Sequence, residues 1–268
     1  MKNLEIIDIH AHAFPDFLAE KAINKLEEHS GPYKAYTDGT INGLLKSMDE
    51  ANITKSCIAN IATKPEQINS IVEWCKNIKS ERIIPLASFY PDNPNWMDDI
   101  DKIVNAGIIG IKLHPMYQEF TIDDKKMFPI YDYIQEKRIF ILFHAGFDIA
   151  YPDDKRALPA RIKNVKREFK NLKIVAAHFG GWQIWEDVIE NLCGEDVYFD
   201  TSFGNEIIDK DEKILYTILN KHSSDRFIFG SDSPWQKQKD QVDFILDLKI
   251  SEEFKEKIFC KNFNFMIQ

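Results

Sequence analysis

Residues 97–144 read MDDIDKIVNAGIIGIKLHPMYQEFTIDDKKMFPIYDYIQEKRIFILFH, and this one stretch repeats a single pattern twice. MDDIDKIVNAG and PIYDYIQEKR space their apolar residues three and four apart, as in a helix with one buried face. The runs that follow them, GIIGIKLH and RIFILFH, are short, apolar and rich in β-branched residues, which predicts buried strands. A helix between two such runs returns the chain and lays the second strand parallel to the first. Each strand ends in a histidine, His114 and His144.

Outward from this stretch the same unit recurs. LEIIDIH, SCIANI and RIIPLASF precede it, and KIVAAH, VYFDTS and RFIFGSD follow. Helical patterns separate them: INGLLKSMDEAN, PEQINSIVEWCKNIKS, RIKNVKREFKN and DEKILYTILNKH, with KIFCKNFNFMI as the last helix. No Gly/Ser-rich linker or low-complexity tract divides the 268 residues. The expected fold class is α/β: one (β/α)8 TIM barrel, a single domain over residues 1–268. A doubly wound open sheet is the alternative, disfavoured because such sheets usually carry fewer strands.

Composition narrows the partners. A net charge of -9 repels phosphate backbones, so no nucleic-acid partner is expected. The four cysteines, Cys57, Cys75, Cys193 and Cys260, form no C-x-x-C pair and are read as reduced and buried. Glu5 and Asp8 lie inside the first strand, which speaks against a signal-peptide core, and no apolar run approaches the ~18 residues that span a bilayer. The expectation is a soluble, cytoplasmic protein without a membrane partner; a homodimer is allowed.

In a barrel of this kind the chemistry sits at the C-terminal ends of the strands. His10 and His12 end strand 1, Lys112 and His114 strand 4, His144 strand 5, His178 strand 6 and Asp232 strand 8. If strand ends make up roughly 20 positions, chance would place about 0.5 of the seven histidines there, not five. His29 and His222 fall elsewhere and are read as surface residues. A pair such as His10 and His12, spaced i, i+2 on a strand, shares one face and can hold a divalent ion. Asp8, of the same parity as His10, is expected to face the barrel interior and to steady a ligand imidazole or pair with a buried cation.

Four of these ends carry motifs in a fixed order: DIHAHAFP at strand 1, FHAG at strand 5, AHFGG at strand 6 and GSDSP at strand 8. Together they resemble the amidohydrolase superfamily, in particular the branch of metal-dependent hydrolases that includes aminocarboxymuconate-semialdehyde decarboxylase. The resemblance spans essentially the whole chain. It implies that His10, His12, His144 and Asp232 hold one divalent metal, zinc by expectation, and that His178 stands beside the metal-bound water. Three imidazoles and a carboxylate leave an open position on Zn²⁺, where a water's pKa falls to about 7. Asp232 could then accept and pass on a proton, and His178 could act as base or polarise a substrate oxygen. Alternatively, Asp232 caps the turn before Pro234 and His178 packs under two glycines.

Lys112 is open to three readings, the plainest being an internal ion pair, with His114 in a Pro-flanked turn. In binuclear relatives a carbamylated strand-4 lysine bridges two metals; here an ordinary ammonium that attracts a substrate carboxylate is expected, with His114 assisting or adding a ligand. Phe14, Tyr117, Phe147, Tyr151, Trp182, Trp185 and Trp235, with Lys155, Arg156 and Arg161, are expected around a mouth suited to a small planar acid. Asp200, Thr201 and Ser202 either line the pocket or cap a turn.

The expected function is metal-dependent hydrolysis of a small amide, ester or lactone that carries a carboxylate. The alternative is non-oxidative decarboxylation of an unsaturated or aromatic acid, and a TatD-like nuclease is more distant, since that group is expected to carry a strand-4 glutamate. A barrel that binds a small ligand without catalysis would not need five strand-end histidines.

Overall fold

The computed structural model describes residues 4–268. Its eight strands are β1 (Ile7–Ala11), β2 (Lys55–Ala59), β3 (Ile83–Leu86), β4 (Gly110–Leu113), β5 (Phe140–Phe143), β6 (Ile174–Ala176), β7 (Tyr198–Asp200) and β8 (Phe227–Ile228). Each pairs in parallel with its sequence neighbour, in two ladders, β1-β2-β3 and β4-β5-β6-β7-β8. Backbone hydrogen bonds close the ring. Ala87 N donates to Gly110 O (3.2 Å) and Lys112 N to Ala87 O (2.8 Å), while Ile9 N donates to Phe229 O (2.9 Å). The expected (β/α)8 barrel is therefore the fold observed.

The helices are α1 (Asp16–Glu27), α2 (Ile41–Ala51), α3 (Ile68–Ile78), α4 (Trp96–Asn105), α5 (Phe128–Lys137), α6 (Pro159–Glu168), α7 (Trp185–Asn191), α8 (Gly204–Lys221), α9 (Gln238–Asp247), α10 (Glu252–Glu256) and α11 (Asn262–Met266). Of these, α1, α7, α9 and α10 fall outside the helical stretches read from the sequence. Helix α8 begins seven residues before its periodic stretch and is broken at Asp211, whose φ of -167° and ψ of 112° are not helical. Ile7, Ile9, Cys57, Leu86, Leu142, Val175 and Ile228 fill the barrel interior. The larger cluster lies between strands and helices.

Strand β1 departs from simple alternation. Its register with β2 slips between Asp8 and Ala11, the mark of a β-bulge. Ile7 and Ile9 point into the barrel, so Asp8 points out to the helix layer, contrary to the parity argument. There it accepts hydrogen bonds from Ser231 N (3.0 Å), Ser231 Oγ (2.5 Å) and Gln238 Nε2 of α9 (2.8 Å). Asp8 fastens the turn after β8 and holds His10 through its backbone N (3.0 Å), not through the imidazole ring, and pairs with no buried cation. Burial pushes its carboxyl up to about 6 against those hydrogen bonds.

His222 is the other correction: it is buried, not on the surface. Its ring stacks on Phe199 at 4.0 Å, Nε2 donates to Val197 O and Nδ1 accepts from Gly194 N. Cys57 and Cys75 are buried as expected, whereas Cys193 and Cys260 are half-buried. Burial holds His222 down to about 4, below its ordinary 6.5. The unfolded chain therefore takes up a proton that the folded chain refuses. This stability is present above pH 6.5 and is lost as pH falls toward about 4, by up to about 3 kcal/mol. Urea midpoints at pH 7 and pH 4.5 test it: the wild type should lose more on acidification than His222→Gln, and equal losses would refute this origin.

Candidate active site

The strand ends bring three sequence-predicted ligands to one point. His10 Nε2 and His12 Nε2 are 3.2 Å apart, and Asp232 Oδ1 is 3.1 Å from each. His144 stands one step away, its Nδ1 3.2 Å from His178 Nε2, and the His10 and His178 rings are 5.5 Å apart. Lys112 Nζ lies 2.8 Å from His10 Nε2. Among the described residues the close clusters of donors include His10, His12 and Asp232 as one set and His10, His178 and Asp200 as another. No close cluster joins His144 to the first trio.

Hydrogen bonds behind the rings decide which nitrogens face inward. His10 Nδ1 meets Asp200 Oδ2 at 2.9 Å, and a carboxylate only accepts, so His10 carries its hydrogen on Nδ1. His12 Nδ1 likewise donates to Ala59 O (2.8 Å), and His144 Nε2 donates to Phe147 O (2.8 Å). Ser202 Oγ gives its hydrogen to Asp200 Oδ1 (2.5 Å) and so accepts from His178 Nδ1 (2.8 Å). Every imidazole hydrogen is thus pinned outward. His10 Nε2, which accepts from Lys112 Nζ, and His12 Nε2, His144 Nδ1 and His178 Nε2 turn their lone pairs to one space beside the Asp232 carboxylate.

Such a donor set calls for a cation. Ligands held about 2.1 Å from one ion and roughly 90–110° apart lie about 3.0–3.4 Å from one another, which the 3.1–3.2 Å edges of the His10, His12, Asp232 triangle satisfy. The residues fit a divalent metal. Electrostatics agree, since burial and neighbouring charge hold His10 and His178 well below the ordinary 6.5, and burial holds His144 down to about 3. All three are neutral and free to ligate. For Asp232, burial would raise the carboxyl, but His10, His12 and Lys112 more than offset it and keep the group below its ordinary value. Burial lowers Lys112 to about 8.

Backbone strain gathers at the same place. His178, Phe179, Phe203 and Asp232 all have left-handed φ, between 54° and 61°, a conformation that costs about 1–2 kcal/mol per non-glycine residue. Asp200 holds the strained turn after β6: its Oδ1 accepts from His178 N (2.9 Å) and its backbone O from Phe179 N (2.8 Å). Asp232 is held by its own N donating to His10 O (2.7 Å), so its side chain enters the donor cluster and caps no turn. Gly146 of FHAG has a separate reason. A Cβ there would stand 2.2 Å from Trp182 N, because the loops after β5 and β6 bridge backbone to backbone.

His114 sits beside this cluster without joining it. Its ring stacks on His144 at 4.1 Å, and Nε2 is 3.3 Å from Asp148 Oδ2. Around the donors lies a cavity of about 1220 Å³ lined by Phe14, Tyr117, Trp182 and Trp235 as expected, and also by Tyr33 and Phe203. Trp185 is instead buried behind His178, donating from Nε1 to His178 O (3.1 Å). Neither Phe147, Tyr151, Lys155, Arg156 nor Arg161 lines the cavity; Arg161 pairs with Asp123 at 2.5 Å.

Sequence reasoning missed two parts of the site. The sequence leaves Asp200 open between pocket wall and turn cap, and the structure shows it holding both His10 and the His178 turn. Its place at the end of a strand, in line with five histidines, was the available signal. Glu206 accepts from Tyr33 Oη, Trp182 Nε1 (2.9 Å) and Gln183 Nε2 (3.1 Å), tying the loops after β1 and β6 to α8. Nothing local in the sequence points to it.

A family profile described as amidohydrolase matches residues 7–262. No curated protein matches the sequence. Among solved structures, an uncharacterised TIM-barrel protein from Bordetella bronchiseptica superposes with a TM-score of 0.75 at 17% identity, over 98% of each chain. A 5-carboxyvanillate decarboxylase from Sphingomonas paucimobilis superposes with a TM-score of 0.72 at 13% identity, over 99% of each chain. A dihydroxybenzoic acid decarboxylase from Polaromonas sp., with bound manganese and the inhibitor 2-nitroresorcinol, gives 0.71 at 13% identity over 99% of this chain and 97% of that one. At these identities the likeness is one of fold.

Proposed function

We propose, from the premise that this chain belongs to the amidohydrolase family, that it is a metal-dependent decarboxylase of a small aromatic or unsaturated acid. The observation that carries this reading is Lys112, a buried ammonium 2.8 Å from His10 Nε2 in a cavity whose inner end is lined by imidazoles, aromatic rings and the Asp148 and Asp232 carboxylates. A divalent cation and an ammonium together carry more positive charge than the one Asp232 carboxylate in the donor cluster balances, and a substrate carboxylate would supply a further anion. Solved structures of similar fold described as 2,6-dihydroxybenzoate and 5-carboxyvanillate decarboxylases support the same reaction class.

His10, His12, His144 and Asp232 would hold one divalent ion. Three imidazoles and a carboxylate suit zinc, whereas the similar structures include manganese complexes. When bound, the ion would polarise substrate oxygens and neutralise charge that builds up on them. The rest falls to the chain. Lys112 pairs with the carboxylate, and His114 fixes the His144 ring by stacking on it. The Tyr33, Trp182 and Phe203 rings, packed edge to face at 5.7–6.3 Å, form an apolar wall beside His178 that excludes water from the reacting carbon.

His178 Nε2, neutral and bare, accepts a proton from a substrate hydroxyl and returns one to the carbon that bears the carboxylate. As that C–H bond forms, the C–C bond to the carboxylate breaks, its electron pair staying on carbon, and CO2 departs. No residue of the chain need change its net charge over the cycle.

Hydrolysis of a small ester, amide or lactone would use the same donors, and the family description favours it as the second reading. Carboxyl-labelled hydroxybenzoates and unsaturated diacids separate the two. Release of labelled CO2 by metal-replete protein is the expected result. Turnover of esters or lactones with no CO2 from any acid would overturn the decarboxylase reading in favour of the hydrolase.

A further inference from the structure

The cavity is larger than a one-ring acid requires. At about 1220 Å³ it exceeds the roughly 300–1,000 Å³ that encloses most drug-sized ligands. The lining extends beyond the metal donors in two directions, along α1 at Phe17, Leu18 and Leu26, and past Ala59, Asn60 and Ile61 at the end of β2 to residues of α2 and α3.

A cleft lies between α2 and α3 because the helix ring is open there. Helix α2 packs on α9 and α3 on β3 and α4, while α2 and α3, which flank β2, have no comparable packing with each other. Ile41 and Leu45 of α2 and Ile71, Trp74 and Ile78 of α3 face the cleft half-buried. Apolar side chains left half-buried in a concave surface gain about 25 cal/mol for each Å² that a ligand covers. Glu73 is the one charged side chain of α3 on its lining, and it is exposed.

We propose that the cleft between α2 and α3 is the binding site for an uncharged apolar tail on an acidic ligand, whose carboxylate lies at Lys112. This rests on the proposed site only for the position of the head group. Continuity with the donor cavity argues for a ligand tail over a second copy of the chain. A partner docked on α2 and α3 would leave the passage at Ala59–Ile61 unused, whereas a tail leaving the metal centre past His12 has this route open to it. The ligand class is an amphiphilic acid, with a polar head and an alkyl or flat apolar extension.

Straight-chain carboxylates from butyrate to decanoate, all free in solution, test this by calorimetric titration of the metal-loaded protein. Affinity should rise about two- to fourfold per added methylene over part of the series, the increment expected for partial to full burial of each group. Trp74→Glu, a change at a half-exposed position, should flatten that slope while its thermal melt shows a folded protein. Lys112→Met should weaken every member by a similar factor and keep the slope. Affinity independent of chain length in the wild type would overturn the proposal without touching the decarboxylase reading. So would an unchanged slope in Trp74→Glu. A wild-type dimer that Trp74→Glu splits, with no slope in either protein, would assign the cleft to a second copy instead.

Discussion

His178→Ala should lower turnover by two or more orders of magnitude while the protein keeps about one metal ion per chain. A positioned general acid or base contributes roughly 10²–10⁴-fold. The geometry that assigns this role to His178 is its tautomer. Ser202 Oγ already gives its hydrogen to Asp200, so His178 must donate from Nδ1 and show a bare Nε2 to the cavity. The donor triangle of His10, His12 and Asp232 is complete without it. The backbone strain at φ 61° is the same for alanine as for histidine, so the substitution adds little new strain. Elemental analysis beside single-turnover kinetics reads both quantities. Loss of the ion would make His178 a ligand, and unchanged turnover would reduce it to packing.

The second large effect belongs to Asp200, which is fully buried and serves four donors: His10 Nδ1, His178 N, Ser202 N and Ser202 Oγ. Asp200→Ala strands them, at about 1–3 kcal/mol for each buried group left unpaired. It should also weaken metal binding by roughly 10–100-fold, the usual loss when an imidazole ligand is no longer oriented from behind. Asp200→Asn separates the two effects. Its carbonyl can still accept from His178 N and Ser202 N, but its amide faces His10 Nδ1 with hydrogens. His10 must then move its own hydrogen to Nε2, the atom aimed at the ion. The asparagine variant should therefore melt closer to wild type than the alanine variant and still bind metal poorly. Wild-type affinity in both variants, measured by competition with a chelator, would refute the orienting role.

Much of this site was open to a reader of the sequence because strand ends are local. A short apolar run that stops at a histidine places that histidine at the rim of a barrel whatever the rest of the chain does. His10, His12, Lys112, His114, His144, His178 and Asp232 all line the cavity, as the positions of their strands required. The errors fell where a local rule was applied across a local irregularity or a long-range contact. Parity failed at Asp8 because a β-bulge inserts one residue into β1, turning Asp8 outward while His10 still reaches the mouth. His222 read as a surface residue because its helix ends there, yet Phe199 of β7 covers its ring. Trp185 and Arg161 read as mouth residues because they follow strand ends in the sequence, but Trp185 opens α7 and is buried, and Arg161 lies on α6 and pairs with Asp123.

The sequence by itself determined the barrel, the end at which the chemistry lies and the residue types gathered there, since each follows from periodicities of two to four residues and from the polarity of strand ends. Only the tertiary structure decided which nitrogen of each imidazole faces the donor cluster, that Asp200 orients His10 directly and His178 through its backbone and Ser202, and that the helix ring opens between α2 and α3. The reason is physical. A tautomer is chosen by the acceptor behind the ring, and for His10 that acceptor is 190 residues away. A gap between helices depends on how closely two independently formed elements approach, a distance that no local pattern encodes.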